Sequence, residues 1–183
     1  MTDQQHDPLR VQSVQFLAEL DQVADEIASV DYGCMGDDCL QEQTIWFGDN
    51  NDIVIIGEAP ARTGWVKSGV AWHNTDGKLL PSGVIMQKLL SILDKELLSV
   101  TFLEAIKCFP SDRRHLKKLA RLYQPTLERQ IQILRPKLVL TMGAIPTQML
   151  IDQPFRRLTD VVGKSFSVHG TQVIPIFHPS PIS

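Results

Sequence analysis

Apolar positions along the chain change period several times, and each change predicts a different element. In residues 11–30, Val14, Leu17, Ala18, Leu20, Ala24, Ile27 and Ala28 recur at mostly three- and four-residue steps between acidic positions. That spacing predicts an acidic amphipathic helix. Residues 31–38, rich in Gly and Asp, predict a loop. Four short apolar runs follow, at residues 52–56, 99–105, 137–141 and 171–177. Runs of this length, each followed by a loop or helix, predict buried strands. Helical periodicity returns between them. Ile85, Leu89, Ile92 and Leu93 share one face of a helix over residues 83–98. Residues 113–134 carry a second helical pattern, interrupted by Pro125. Proline removes a backbone donor, so two helices or one kinked helix are expected there. A short helix over residues 144–151 follows the third strand.

Strand–helix alternation predicts an α/β domain whose parallel sheet is covered on both faces. An acidic helix and loop over residues 1–42 precede this domain, which occupies residues 43–183, and the whole reads as one globular unit. No internal repeat is visible. In such sheets ligands bind beyond the carboxyl ends of the strands. The informative loops are therefore those after Ile56, Ala105, Thr141 and Phe177.

Composition narrows the class. The 183 residues are 43% hydrophobic and 21% charged, close to an ordinary soluble domain. No apolar run approaches the roughly 20 residues of a membrane span. Three cysteines are too few for a disulfide framework, and no signal peptide is visible, so a reducing, cytoplasmic setting is expected. The net charge of −3 hides an asymmetry. Of residues 1–42, ten are acids and only Arg10 is basic. Residues 107–121 hold six bases against Asp112 alone. A basic body suits a polyanion, although a solvated helix face gives the same composition.

The four loops hold unusual residues. Gly57-Glu58-Ala59-Pro60 leaves the first strand. Gly57 permits a sharp exit, and a carboxylate at Glu58 can position a water or stabilise a developing cation. A turn acid would look the same. Trp72 lies in a polar, Gly-containing loop, where its flat surface stacks on a ligand or packs under the loop. Glu104 to Pro110 follow the second strand, and Met142-Gly143-Ala144 makes an ordinary turn after the third. His178-Pro179-Ser180-Pro181 follows the fourth, where a neutral imidazole can donate to a developing oxyanion.

Taken in order, Gly57-Glu58-Ala59-Pro60, the Gly-x-aromatic loop, Lys107-Cys108-x-Pro110, the helix motif at residues 127–137 and His178-Pro179-Ser180-Pro181 resemble the uracil-DNA glycosylase superfamily. The iron–sulfur bacterial and archaeal branch is the nearest in pattern. The resemblance implies a three-layer α/β/α fold around a four-stranded parallel sheet, and a cleft that takes a flipped-out base. It implies excision of a deaminated or damaged base from DNA through an oxocarbenium-like sugar. Glu58 and His178 would be catalytic. Gly57, Ala59, Pro60, Trp72, Glu104, Ser180 and Ile182 would line the base site. Lys107, Arg113, Arg114 and Lys117 would contact phosphates. DNA would be the partner of a monomeric protein.

Three departures qualify the likeness. Glu104 stands where the family has an Asn that reads the uracil edge. An ionised Glu only accepts hydrogen bonds. That leaves three readings: a protonated Glu104, a base other than uracil, or a pocket read by another residue. The cluster ligands are degenerate: Cys34, Cys39 and Cys108 remain, with Tyr123 at the fourth position, so no cofactor is expected and these cysteines read as remnants. The family pattern also continues into a closing helix beyond Ser183. The alternative expectation is a catalytically impaired member that binds single-stranded DNA, a nucleotide or a base without cleaving.

Overall fold

The computed structural model describes residues 16, 18–23, 25, 45–61, 64–110 and 112–180. Six strands form one sheet: β1 (Ile45–Trp46), β2 (Asn50–Gly57), β3 (Val100–Glu104), β4 (Leu138–Met142), β5 (Phe166–Val168) and β6 (Thr171–Ile176). Their order is β1-β3-β2-β4-β6-β5. The four central strands run parallel and coincide with the four apolar runs. Edge strands β1 and β5 pair antiparallel and were not anticipated. β5 turns into β6 through His169 and Gly170, both with positive φ. That two-residue turn suits the strand twist.

Side chains alternate across the sheet as a pleat requires. Val54, Ile56, Leu103, Val139 and Val173 point to one core, shared with helix α3 (Leu116–Leu134) and helix α4 (Ala144–Leu150). Leu20 and Val23, in a helical stretch near the N-terminus, are buried in the same core. Ile55, Val100, Phe102 and Met142 point to the opposite core. Helix α2 (Pro81–Ser91) covers that face with Met86 and Leu90, beside Trp65 of the short helix α1 (Trp65–Ser68). The result is the α/β/α sandwich.

Two helix boundaries differ from the sequence expectation. α2 stops at Ser91 because Asp94 takes a left-handed conformation (φ 52°). The Lys95 amide then bonds the Leu90 carbonyl at 3.0 Å and the Asp94 amide bonds that of Ser91 at 3.2 Å, a Schellman closure. Ile92 and Leu93 therefore fall beyond the helix and are exposed. Residues 113–115 form a 3₁₀ turn, and α3 runs unbroken through Pro125. Pro125 and Arg121 are both exposed, so the carbonyl that lacks its helical donor lies on the solvent side of the helix. Among the described residues no helix is long and apolar enough to cross a membrane.

Ile56 is fully buried at the centre of the sheet. Ile56→Ala is expected to cost about 2–5 kcal/mol of stability, measured as a lowered urea midpoint with an unchanged slope.

Candidate functional site

Register decides what meets at the carboxyl end of the sheet. Gly57, the last residue of β2, pairs with Glu104, the last of β3. Both lie two residues beyond side chains of the α2-side core, Ile55 and Phe102, so both face that side. The Ala105 amide donates to the Gly57 carbonyl at 2.9 Å, and the Ile106 amide to that of Glu58 at 3.0 Å. These bonds tie the first two loops together. A cavity of about 410 Å³ opens above them, lined from β2, α1, β3, β4 and the loop after β6. Gly57, Glu58, Ala59, Trp72, Glu104, Arg113, His178 and Ser180 all contribute to its wall. Pro60 is buried beside it.

Glu104 is only 6% exposed. Its carboxyl overhangs Gly57 so closely that a Cβ on Gly57 would come within 2.2 Å of Oε2. Any larger residue here would have to push the carboxyl aside. Trp65 Nε1 donates to Oε1 over a long 3.4 Å, while Oε2 has no hydrogen-bond partner among the described residues. Burial dominates its ionisation and pushes its pKa up to about 8, against the smaller opposing pull of the Trp65 bond and Lys107. The Glu58 charge adds to the rise. A carboxyl so placed is held neutral at pH 7.

Glu58 sits one residue past β2, where its Oε1 accepts from Arg113 Nη2 at 2.7 Å. Arg113 is 75% exposed, so this pair adds little stability and orients the carboxylate instead. His178 leaves β6 on the other side of the cavity. Partial burial lowers its pKa, while the Glu58 charge opposes the fall. The ring is thus biased to neutral imidazole. Its Nδ1 lies 2.6 Å from Ser180 Oγ. A hydroxyl donated to Nδ1 leaves Nε2 as the N–H. Ser180 is in this way an orienting partner of His178.

Trp72 is buried at 4% exposure and packs on Phe102 at 4.5 Å between ring centroids. It packs under its loop, the second of the two sequence readings, and it also borders the cavity. Its backbone is left-handed (φ 66°), an uncommon state for a bulky residue. The loop holds it there, with the Leu80 amide bonded to the Trp72 carbonyl at 2.7 Å. Trp65 and Phe102 belong to the same aromatic wall and escaped sequence reasoning. Trp65 follows Gly64 in a loop-like stretch, and only tertiary packing aims its indole at Glu104.

Lys107 is a correction. Expected on a phosphate, it is fully buried, with its ammonium donating to the Glu104 backbone carbonyl. Burial lowers its pKa to about 7, opposed by Glu104. A cation enclosed by the core cannot reach a phosphate. Arg114 is exposed and paired with Asp112 at 2.6 Å, and Lys117 is exposed on α3. Ile182, Cys34 and Cys39 lie outside the described residues. Cys108 is buried and its side chain hydrogen-bonds Tyr123. Burial raises its thiol pKa, and the Tyr123 bond pulls the other way. The third and fourth ligand positions of an iron–sulfur centre therefore meet, but as a protonated thiol and a phenol. These two residues do not fit a four-thiolate cluster.

Comparison with known proteins gives the family. The Uracil DNA glycosylase superfamily model matches residues 45–183. A Type-4 uracil-DNA glycosylase from Sulfurisphaera tokodaii is 30% identical over 137 residues, which are 70% of this chain. The match spans 60% of that relative's length.

The buried carboxyl makes stability depend on pH. Folded Glu104 holds its proton up to about 8, whereas the unfolded carboxyl releases it near 4.5. Between these values the native state binds more protons, so stability falls as pH rises. Lys107 acts oppositely from about pH 7 upward and His178, with its lowered pKa, acts oppositely just below 6.5, so the comparison of wild type with Glu104→Gln, which share both groups, isolates the carboxyl between 4.5 and 7. Thermal melts across that window should show the wild-type Tm falling with pH and Glu104→Gln losing most of that slope. Gly57→Ala should displace the carboxyl and cost about 1–3 kcal/mol by denaturant titration.

Proposed function

The chain belongs to the uracil-DNA glycosylase superfamily, and from that premise we propose that it hydrolyses the N-glycosidic bond of a deaminated base, uracil or a related one, in DNA. One observation carries this reading: Glu58 and His178 border one cavity from the loops after β2 and β6 and interact electrostatically. Breaking a glycosidic bond leaves positive charge on the sugar and negative charge on the base. A carboxylate and a neutral imidazole donor on the same cleft answer those two charges.

The C1′–N bond breaks with its electron pair going to the base. His178 Nε2–H donates to the carbonyl oxygen of the base on which that negative charge collects. Glu58 stabilises the sugar cation and orients a water, whose oxygen adds to C1′ while its proton passes to the carboxylate. Arg113 holds Glu58 Oε1 and leaves Oε2 for that water. The aromatic wall of Trp65, Trp72 and Phe102 encloses an extruded base and excludes solvent. Arg113, Arg114 and Lys117 carry positive charge near the cavity and along the start of α3, where phosphates would run. The name of the Sulfurisphaera relative points to the same chemistry.

The test is excision from single-stranded oligonucleotides carrying uracil, hypoxanthine, xanthine or an undamaged base, with alkali revealing abasic sites. Cleavage of a deaminated base is expected, falling by about two orders of magnitude in Glu58→Ala and in His178→Ala. No cleavage of any substrate, together with salt-sensitive binding, would overturn hydrolysis in favour of a binding module.

A further inference from the structure

Glu104 presents a puzzle of donors. Ionised, its carboxylate would offer about four acceptor sites. Among the described residues the fold supplies one long bond from Trp65 Nε1 to Oε1 and none to Oε2. Among the described residues no cation bonds to the carboxyl itself, although Lys107 pulls weakly toward its ionised form. Lys107, in the loop after β3, donates to the backbone carbonyl of Glu104 instead of its carboxyl. Glu58, in the loop after β2, adds like charge. Arg113 shares the cavity but is bonded to Glu58. His178, across the cavity, is biased to the neutral form. Oε2 is also the oxygen that overhangs Gly57, a cavity-lining residue; it is itself closed to solvent, so a base reaches it once the carboxyl turns off Gly57 toward the cavity.

A protonated carboxyl, by contrast, is half donor and half acceptor, like a primary amide. Trp65 donates to Oε1, which marks Oε1 as the carbonyl oxygen and leaves the proton on Oε2. We propose that Glu104 reads the extruded base as a neutral carboxylic acid, donating from Oε2 to a ring carbonyl oxygen while Oε1 accepts from the adjacent ring N–H. It thereby selects bases with a lactam edge, such as uracil, over bases with an amine at that position, such as cytosine. An amine would set donor against donor at Oε2 and leave buried polar groups unpaired. The inference rests on the base-flipping reading above and names its specificity residue. Glu104 ionises as pH climbs through about 8, so the donor, and with it the selectivity, is lost in alkali.

The test separates recognition from cleavage. Single-stranded oligonucleotides carrying one non-cleavable 2′-fluoro-2′-deoxyuridine or 2′-fluoro-2′-deoxycytidine are bound to the full chain and followed by fluorescence anisotropy, at pH values of roughly 6.5 and 9. The ratio of the two affinities cancels phosphate contacts, which both oligonucleotides share. Wild type is expected to prefer the uracil oligonucleotide by about tenfold or more at the lower pH, and to lose most of that preference at the higher one. Glu104→Gln carries the same donor and acceptor without titrating. It should keep the preference at both pH values, which also accounts for any ionisation of the uracil ring. Glu104→Leu should abolish it. The proposal is overturned if wild type shows no uracil preference at the lower pH, if its preference persists undiminished in alkali, or if Glu104→Gln discriminates no better than Glu104→Leu. If the preference and its pH dependence hold while deoxyuridine is not excised, Glu104 keeps its role and the hydrolytic reading is the one that fails.

Discussion

The cavity depends on one steric constraint, the pairing of a residue without a side chain beside a residue with a long acidic one. Gly57 and Glu104 end adjacent parallel strands in register, on the same face of the sheet. Because Gly57 has no Cβ, the Glu104 carboxyl folds across it into an apolar wall instead of pointing to water. That position removes the carboxyl from solvent and keeps it protonated at neutral pH. It also aligns the carboxyl with Trp65 and the rest of the aromatic wall.

The neighbouring charges follow from the same arrangement. Lys107, enclosed beneath the same loop, satisfies the Glu104 backbone carbonyl. Glu58, one residue beyond Gly57, stays partly exposed and takes Arg113 as its partner. Two carboxyls brought together by adjacent strands thus differ in surroundings, one buried over Gly57 and one bonded to an exposed Arg113. Separating ionisation states by environment is how a site obtains a hydrogen-bond donor and an anion from the same residue type. A polar, partly solvated Glu58 suits stabilising a cation, and a dry Glu104 suits reading a base.

Much of the fold was legible because burial on both faces writes a simple pattern. Residues 52–56, 99–105, 137–141 and 171–177 became the four central parallel strands. Edge strands β1 and β5 were missed because two or three residues carry no periodicity. The end of α2 was misjudged because Ile92 and Leu93 continue the helical pattern in sequence, while the backbone has already closed at Asp94. The position of Glu58 and His178 at strand ends was legible, since loops after parallel strands converge wherever those strands lie side by side.

Residue identity and order along the chain by themselves determined the α/β class, the four converging loops and the family. They also marked Glu104 as a departure, without deciding its charge. Only the tertiary structure decided that. Ionisation is set by the surroundings of a group, and the surroundings of Glu104 include Gly57 and Trp65, which lie far from it in sequence and on other elements. Lys107 gives the same lesson with the opposite sign. It counts as one more base in a basic stretch until the fold encloses it, and burial then turns a presumed phosphate ligand into part of the core.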